Sequence, residues 1–318
     1  MTSNIDQNLI VTIIVATYNS SKYVLETLES IKNQTYPHLS LIITDDCSTD
    51  DTVDICKKWV GLNESRFVET QILESQINTG ISGNGNRGAA ACKTKWVKGI
   101  AGDDLLMPNC IQDNVDYVLS HPEVHFLFSR IIPFGSNKQK ISDILNAIDY
   151  SFYDLSTEDQ LDRLIFNGNC IPAPSFFYDI DVLRKYGIKN DERIPMLEDA
   201  PKWINILRKG LVLSFMDKET VLYRVSSISI SGAVDCSPRY YKSRISFWHY
   251  YLEDEFIKKW GKQKTFELDL ENQLALYNKY LFYKNLPIVI LYTKTIKMGK
   301  VFSYNIMRFL KKIKLLKG

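Results

Sequence analysis

Leu9-Ile-Val-Thr-Ile-Ile-Val-Ala16 is an apolar, β-branched run of strand length, and the polar break Thr17-Tyr-Asn-Ser-Ser21 follows it directly. A run this poor in polar alternation suits a strand buried on both faces, as in a parallel sheet covered by helices. The pattern then repeats. Val24, Leu28 and Ile31 share one helical face, residues 39–44 form a second strand, and Val53, Cys56 and Val60 mark the next helix. Residues 66–73 read as a third strand, 86–94 as a short helix after a glycine-rich loop, and 95–101 as a fourth strand. Pro108 suits the first turn of a helix carrying Ile111, Val115 and Val118, and residues 124–132 are a fifth strand. This alternation predicts an α/β fold with a mostly parallel sheet flanked by helices. After Phe134 the pattern loosens. A helix is expected at 157–166, a short strand at 175–178, and a helix at 197–208 stopped by Lys209-Gly210; from about residue 238 the chain reads as helical and aromatic-rich.

Charge and composition narrow the function classes. The hydrophobic fraction of 45% and charged fraction of 24% are those of a soluble globular protein. The net charge of +2 hides an asymmetry: residues 286–318 carry eight Lys or Arg and no acid, which leaves the remainder at −6. That remainder is not basic enough to suggest nucleic acid. Six cysteines without a C-x-x-C and only four histidines give no support to a zinc site or a His-centred triad. The polar N-terminal octet lacks the regions of a secretory signal, and no 18-residue uncharged apolar run occurs, so a cytoplasmic protein is expected.

Acidic pairs stand where elements begin or end. Asp103-Asp104 closes the fourth strand, and Asp45-Asp46 closes the second. Parallel strands share a carboxyl edge, where α/β sheets bind ligands, so both pairs and Tyr18 fall on one rim. Paired carboxylates there can hold a divalent ion on a diphosphate, or one Asp can simply cap the next helix. Ser48-Thr-Asp-Asp51 resembles a capping box with Asp in the Glu place. Glu198-Asp199 opens a helix with Pro201 in its first turn, where capping is again the bland alternative and the helix N-terminus is expected to lower the carboxylate pKa. Gly83-Asn-Gly-Asn-Arg-Gly88 spells G-x-G-x-x-G, but seven residues separate it from the preceding strand, so it reads as a loop entering a helix and not as a dinucleotide turn.

Five elements in order then acquire a joint meaning: Val15-Ala-Thr-Tyr-Asn19; Ile43-Thr-Asp-Asp-Cys-Ser-Thr-Asp50; Asn78-Thr-Gly80 with Asn86-Arg-Gly88, followed eighteen residues after Asn86 by Asp104; Leu197-Glu-Asp199 with Trp203 and Arg208-Lys-Gly210; and Val221-Leu-Tyr-Arg224 with Ser229. Together they resemble the inverting family 2 glycosyltransferases of GT-A fold, over residues 9–231. The resemblance implies a GT-A domain at 1–235 and a C-terminal helical extension at 236–318. It places Thr17, Tyr18 and Asp46 around the nucleoside, with Asn19 and Asn86 among the donor-binding residues. Asp103 would face the ribose or metal, Asp104 would ligate Mg²⁺ or Mn²⁺, and Asp199 would be the catalytic base. Three positions depart from the family pattern: Ala101 replaces the first acid of Asp-x-Asp-Asp, Gly85 replaces an Arg for which neighbouring Arg87 is a candidate substitute, and Ser226 replaces a late His. The absence of Gln-x-x-Arg-Trp points to single-sugar transfer.

The resemblance further implies a metal-dependent hexosyltransferase in bacterial surface polysaccharide or O-antigen synthesis. It would use a UDP-linked donor and a glycan or polyprenyl-diphosphate-linked acceptor. In residues 300–317, Phe302, Ile306, Phe309, Leu310, Ile313 and Leu316 fall at helical spacing with Arg308, Lys311, Lys312 and Lys314 largely off that stripe. Such a basic amphipathic tail suits an anionic membrane surface, with an ordinary helix packed on the domain as the alternative. A peripheral position on the inner face of the cell membrane is therefore expected. Two other readings stay open: a nucleotidyltransferase that builds the sugar nucleotide, and a non-catalytic glycan- or membrane-binding module on the same fold.

Overall fold

The computed structural model describes residues 9–225 and 238–281. Its core is an eight-stranded mixed, mostly parallel sheet. Strands β1 (Val11–Thr17), β2 (Leu39–Asp45), β3 (Thr70–Glu74) and β4 (Trp96–Ala101) run parallel in the order β3-β2-β1-β4. The remaining strands are β5 (Leu105–Leu106), β6 (Phe126–Phe134), β7 (Phe177–Asp179) and β8 (Ser214–Arg224). They extend the sheet as β4-β7-β6-β8-β5, with β6 and β8 parallel and the other pairs antiparallel.

Helices cover both faces, as the unalternated first strand requires. On one side α1 (Val24–Lys32), α2 (Thr52–Asn63) and α4 (Cys110–Ser120) bury Leu28, Ile31, Trp59 and Val115 against Val11, Ile13 and Val15. On the other, Ile14, Ile42 and Val97 join Leu164 and Ile165 of α6 (Thr157–Asn167) and Trp203, Ile204 and Leu207 of α8 (Asp199–Arg208). Successive residues of β1 thus feed opposite cores, the period of two that a doubly covered strand must show. Trp248, Tyr251 and Phe256 also belong to the second core, so the segment after residue 238 packs on the α/β body through the π-helical turn Trp248–Leu252, which joins α9 (Pro238–Phe247) to α10 (Glu253–Leu281), and through the start of α10.

Several local expectations are corrected. The glycine-rich segment is not a loop: α3 spans Gly80–Ala91 and contains Gly83, Gly85 and Gly88. The reason is close packing. A Cβ on Gly88 would lie 2.6 Å from Ile14 Cγ2, so the helix can press on β1 only without one. The Ser48 capping box does not form, because Ser48 is held by Asp45 while Asp50 accepts from the Thr52 N–H at 3.1 Å. Helix α4 begins at Cys110, two residues beyond Pro108. Between β6 and α6 lies α5 (Lys138–Ala147), and α7 (Ile180–Lys185) follows β7; the sequence pattern predicts neither, nor does it predict β8. Ser226, Ser229 and the basic tail from 286 lie outside the described residues. No helix among the described residues is long and apolar enough to cross a membrane.

Candidate active site

The parallel register brings three strand ends to one edge, with Thr17 opposite Asp45 and Ala16 opposite Ala101. Backbone pairing continues past the strands, as Gly102 N–H donates to the Ala16 carbonyl at 2.9 Å and Asp46 N–H to that of Thr17 at 3.0 Å. Two turns then bend through left-handed conformations, at Asn19 (φ 48°) and Cys47 (φ 67°). For cysteine this conformation is uncommon and must be held by its surroundings. Asp45 does the holding: it accepts from Ser48 N–H at 2.8 Å and from the hydroxyls of Ser48 and Thr17. Asn19 staples the first turn to the second, its Oδ1 accepting from Thr49 N–H at 2.8 Å and its own N–H donating to Ser48 Oγ. Tyr18, at the tip, is 50% exposed and presents its ring to solvent.

Asp46 is buried and turned toward the next element. Its Oδ1 accepts from the backbone N–H and hydroxyl of Thr79, and its Oδ2 from Gly80 N–H at 2.7 Å. Asp46 thereby satisfies donors at the start of α3. Arg87 does not extend outward in place of the missing Arg at 85. Its guanidinium faces inward, donating to Asn84 Oδ1, the Asp45 carbonyl and Thr79 Oγ1, with Asp46 Oδ1 at 3.4 Å. Asn86 is equally committed: it exchanges hydrogen bonds with the Asn190 backbone and donates to Glu192. The 190–195 loop that these bonds secure lies over the start of α3. Ser82 N–H donates to the Pro195 carbonyl, and a Cβ on Gly80 would stand 2.6 Å from that oxygen. Asp199 follows Pro195 by four residues in the chain.

Asp103 and Asp104 follow β4 and are clear of any helix end, since α4 starts only at Cys110. Helix capping therefore does not account for them. Asp104 is buried, with Oδ1 accepting from Arg224 N–H at 2.8 Å. The pairing of β5 with β8, Leu105 opposite Leu222, puts Arg224 there. The Arg224 side chain wraps the same turn: Nε donates to the Asp103 carbonyl, a terminal nitrogen to Glu26, and the guanidinium lies over the rings of Tyr23 and Phe134. Burial, then the like charge of Asp103, pushes the Asp104 carboxyl well above its ordinary range, and burial raises Asp103 also. Lys98, fully buried on β4, bears on Asp104 from within the sheet; it donates to the Pro174 carbonyl at 2.7 Å, and burial pushes its pKa down to about 8. Arg224 belongs to the Val221–Arg224 element singled out in the sequence, whereas Lys98 is visible there only as a lysine inside the apolar strand Trp96–Ala101.

These two carboxylates fit a hard divalent cation. They are oxygen donors, and burial and mutual repulsion leave their negative charge poorly compensated. Among the described residues no cluster of three or more His, Cys, Asp or Glu assembles. A cation held by one or two carboxylates and completed by phosphate oxygens and water needs no more.

Glu198 and Asp199 open α8, yet the Glu198 side chain makes no capping bond. Asp199 Oδ1 accepts from Ala200 N–H at 2.7 Å and Oδ2 from Asn169 Nδ2 at 2.7 Å. The expected lowering of pKa at a helix N-terminus is overturned. Burial outweighs the Ala200 N–H, Lys202 and Asn169 and raises Asp199, while burial and the Asp199 charge push Glu198 up to about 7. Burial also lowers the Lys202 ammonium, one turn on.

Known proteins share this arrangement of elements. A family model described as Glycosyl transferase family 2 matches residues 12–187. The chain is 26% identical over 227 residues, 70% of its length and 80% of the relative's, to the Escherichia coli UDP-Glc:α-D-GlcNAc-diphosphoundecaprenol β-1,3-glucosyltransferase WfaP. Among solved structures, S. aureus TarS 1–349 with UDP-GlcNAc superposes at a TM-score of 0.59, 17% identical, covering 86% of this chain and 73% of that one. The Pyrobaculum calidifontis mannosyltransferase PcManGT with GDP-Man and Mn²⁺ superposes at 0.53, 16% identical, covering 96% and 86%. Both structural likenesses bear on fold alone.

Proposed function

The chain belongs to glycosyl transferase family 2, and on that membership we propose that it is an inverting enzyme that moves one sugar from a UDP-linked donor to a glycan or polyprenyl-diphosphate-linked acceptor in bacterial surface polysaccharide synthesis. Membership sets aside the nucleotidyltransferase and binding-module readings. The UDP donor and lipid-linked acceptor are supported by what WfaP and TarS are named for. The observation that carries the mechanism is the Asp103-Asp104 pair, half-buried and buried in turn, on the same sheet edge as the exposed Tyr18 turn.

Tyr18 offers an aromatic face to the nucleobase, with Thr17 and Asn19 fixing its turn. Asp46 Oδ2, which takes one donor, offers its other lone pair to a base N–H. Asp103 and Asp104 would hold Mg²⁺ or Mn²⁺, as the Mn²⁺ in the PcManGT structure suggests by analogy. When bound, that ion offsets the charge developing on the departing diphosphate. Asp199 takes the proton of the acceptor hydroxyl as its oxygen bonds to the anomeric carbon. The bond to the diphosphate oxygen breaks on the opposite face, UDP leaves with that electron pair, and the anomeric centre inverts. A pKa raised by burial makes Asp199 a stronger base than an ordinary aspartate. Asp199→Asn tests the reading. Transfer should fall by about 100-fold or more while donor binding persists, because only the proton acceptor is removed. Undiminished transfer by Asp199→Asn would refute it.

A further inference from the structure

Asn169 lies outside every element so far given a role. It follows α6, whose last turn ends at Gly168 in a left-handed conformation (φ 91°). The side chain makes two directed bonds. Oδ1 accepts from Ile171 N–H at 3.0 Å, and Nδ2 donates to Asp199 Oδ2 at 2.7 Å. The first bond fixes the sense of the amide, since an N–H can bond only the oxygen end, and so the donor end is the one aimed at Asp199. The platform is firm: Leu164 and Ile165 of α6 share a core with Trp203, Ile204 and Leu207 of α8. The tip is open, because Asn169 itself is exposed.

We propose that Asn169 is the positioning residue of the catalytic base: its amide holds Asp199 Oδ2 in one orientation while Ala200 N–H holds Oδ1, leaving the carboxylate aimed for the acceptor hydroxyl. The inference rests on the assignment of Asp199 as base. Two fixed donors on two oxygens remove the rotation that would misalign a lone pair, and such misplacement is costly to proton transfer. Donation also favours the ionised form, the one able to take a proton. The charged groups bearing on Asp199 are Glu198, the residue before α8, and Lys202 within α8, so Asn169 is the contribution from a separate element.

Because the bond is solvent-exposed, its loss should show in turnover and hardly in folding. Asn169→Ala removes the donor; Asn169→Asp keeps the shape and places a carboxylate against Asp199. For Asn169→Ala we expect kcat to fall about 10- to 100-fold, part of what a positioned general base contributes. The KM for donor and the thermal midpoint should stay near wild type. For Asn169→Asp the acid limb of the kcat–pH profile should move upward as well, because a like charge disfavours ionised Asp199. Wild-type kcat and an unmoved acid limb in both variants, beside an inactive Asp199→Asn, would overturn the positioning role and leave the base assignment standing. A fully active Asp199→Asn would overturn the base assignment itself. Loss of kcat with an equal loss of donor affinity and a lowered midpoint would show a structural role and refute the proposal.

Discussion

Lys98→Met exchanges a buried ammonium for an uncharged side chain of similar length, and the stability difference should carry a signature in pH. Lys98 is fully buried on β4, and desolvation brings its pKa from 10.5 to about 8. Each pKa unit is about 1.4 kcal/mol, so keeping this lysine charged in the fold costs about 3 kcal/mol at neutral pH. The variant escapes that cost but strips the donor from the Pro174 carbonyl, at 2.7 Å in the wild type. An orphaned buried acceptor costs about 1–3 kcal/mol, so the two effects nearly cancel at pH 7. They do not cancel in slope. Between pH 8 and 10.5 the unfolded lysine keeps its proton and the native one has lost it, so the unfolded state binds more protons and wild-type stability rises with pH. Paired urea melts of both proteins should give a constant difference from about pH 6 to 7.5, then a swing of about 3 kcal/mol in favour of wild type by pH 10.5. Other lysines and tyrosines titrate in both proteins and drop out of the difference. A difference that stays constant from pH 7 to 10.5 refutes the buried charge.

Glu198→Gln tests the acidic pair with the opposite sign. Native Glu198 holds its proton up to about pH 7 whereas the unfolded one releases it near 4.5, so wild-type stability should fall with rising pH across that window and the variant should lack the fall. Parallel pH slopes in guanidinium melts would contradict it. Asp104→Asn should abolish the Mn²⁺-dependent part of UDP-sugar binding in calorimetry, and an unchanged Mn²⁺ effect would remove Asp104 from the ligand set. Deleting residues 286–318, with eight basic residues and no acidic one, should release the protein from anionic vesicles in sedimentation. Equal partitioning before and after deletion would dismiss the tail as a membrane contact.

The first half of the sheet is legible in the sequence because β1, β2 and β4 are largely buried on both faces and are mostly apolar, as this requires. Strand β8 is hidden because Asp217-Lys-Glu219 interrupts Ser214–Arg224, and the ladder with β6 is irregular at that point, so polar residues sit where regular pairing lapses. Helix α5 buries none of its residues, and its apolar stripe is only Ile141, Ile144 and Leu145, short for a reading from periodicity. The glycines of α3 mislead for the converse reason: Gly88 makes room for helix–strand contact and Gly80 for the Pro195 loop, and glycine in a sequence looks the same whether it bends the chain or makes room. Strand-end acids can be placed on one rim by topology alone. Asn169 and Lys98 cannot, because their partners lie 30 and 76 residues away and nothing local announces the bond.

The acids on that rim also divide by how many donors the protein gives them, a distinction invisible in Asp-Asp written twice. Asp45 is met by Thr17 and by the N–H and hydroxyl of Ser48; Asp46 by both donors of Thr79, the N–H of Gly80 and, more distantly, Arg87. Donors supplied in this number use the hydrogen-bonding capacity of the first pair to hold turns in place. Asp104 accepts the Arg224 N–H, and its pKa rises with that of Asp103 because burial and repulsion exceed the compensation provided. The first pair therefore shapes the rim on which Tyr18 stands. The second keeps an electrostatic demand that a divalent cation and a diphosphate can meet together. The substitution of Ala101 for the family's first acid concentrates that demand on Asp103 and Asp104, where buried Lys98 and ring-clamped Arg224 moderate it.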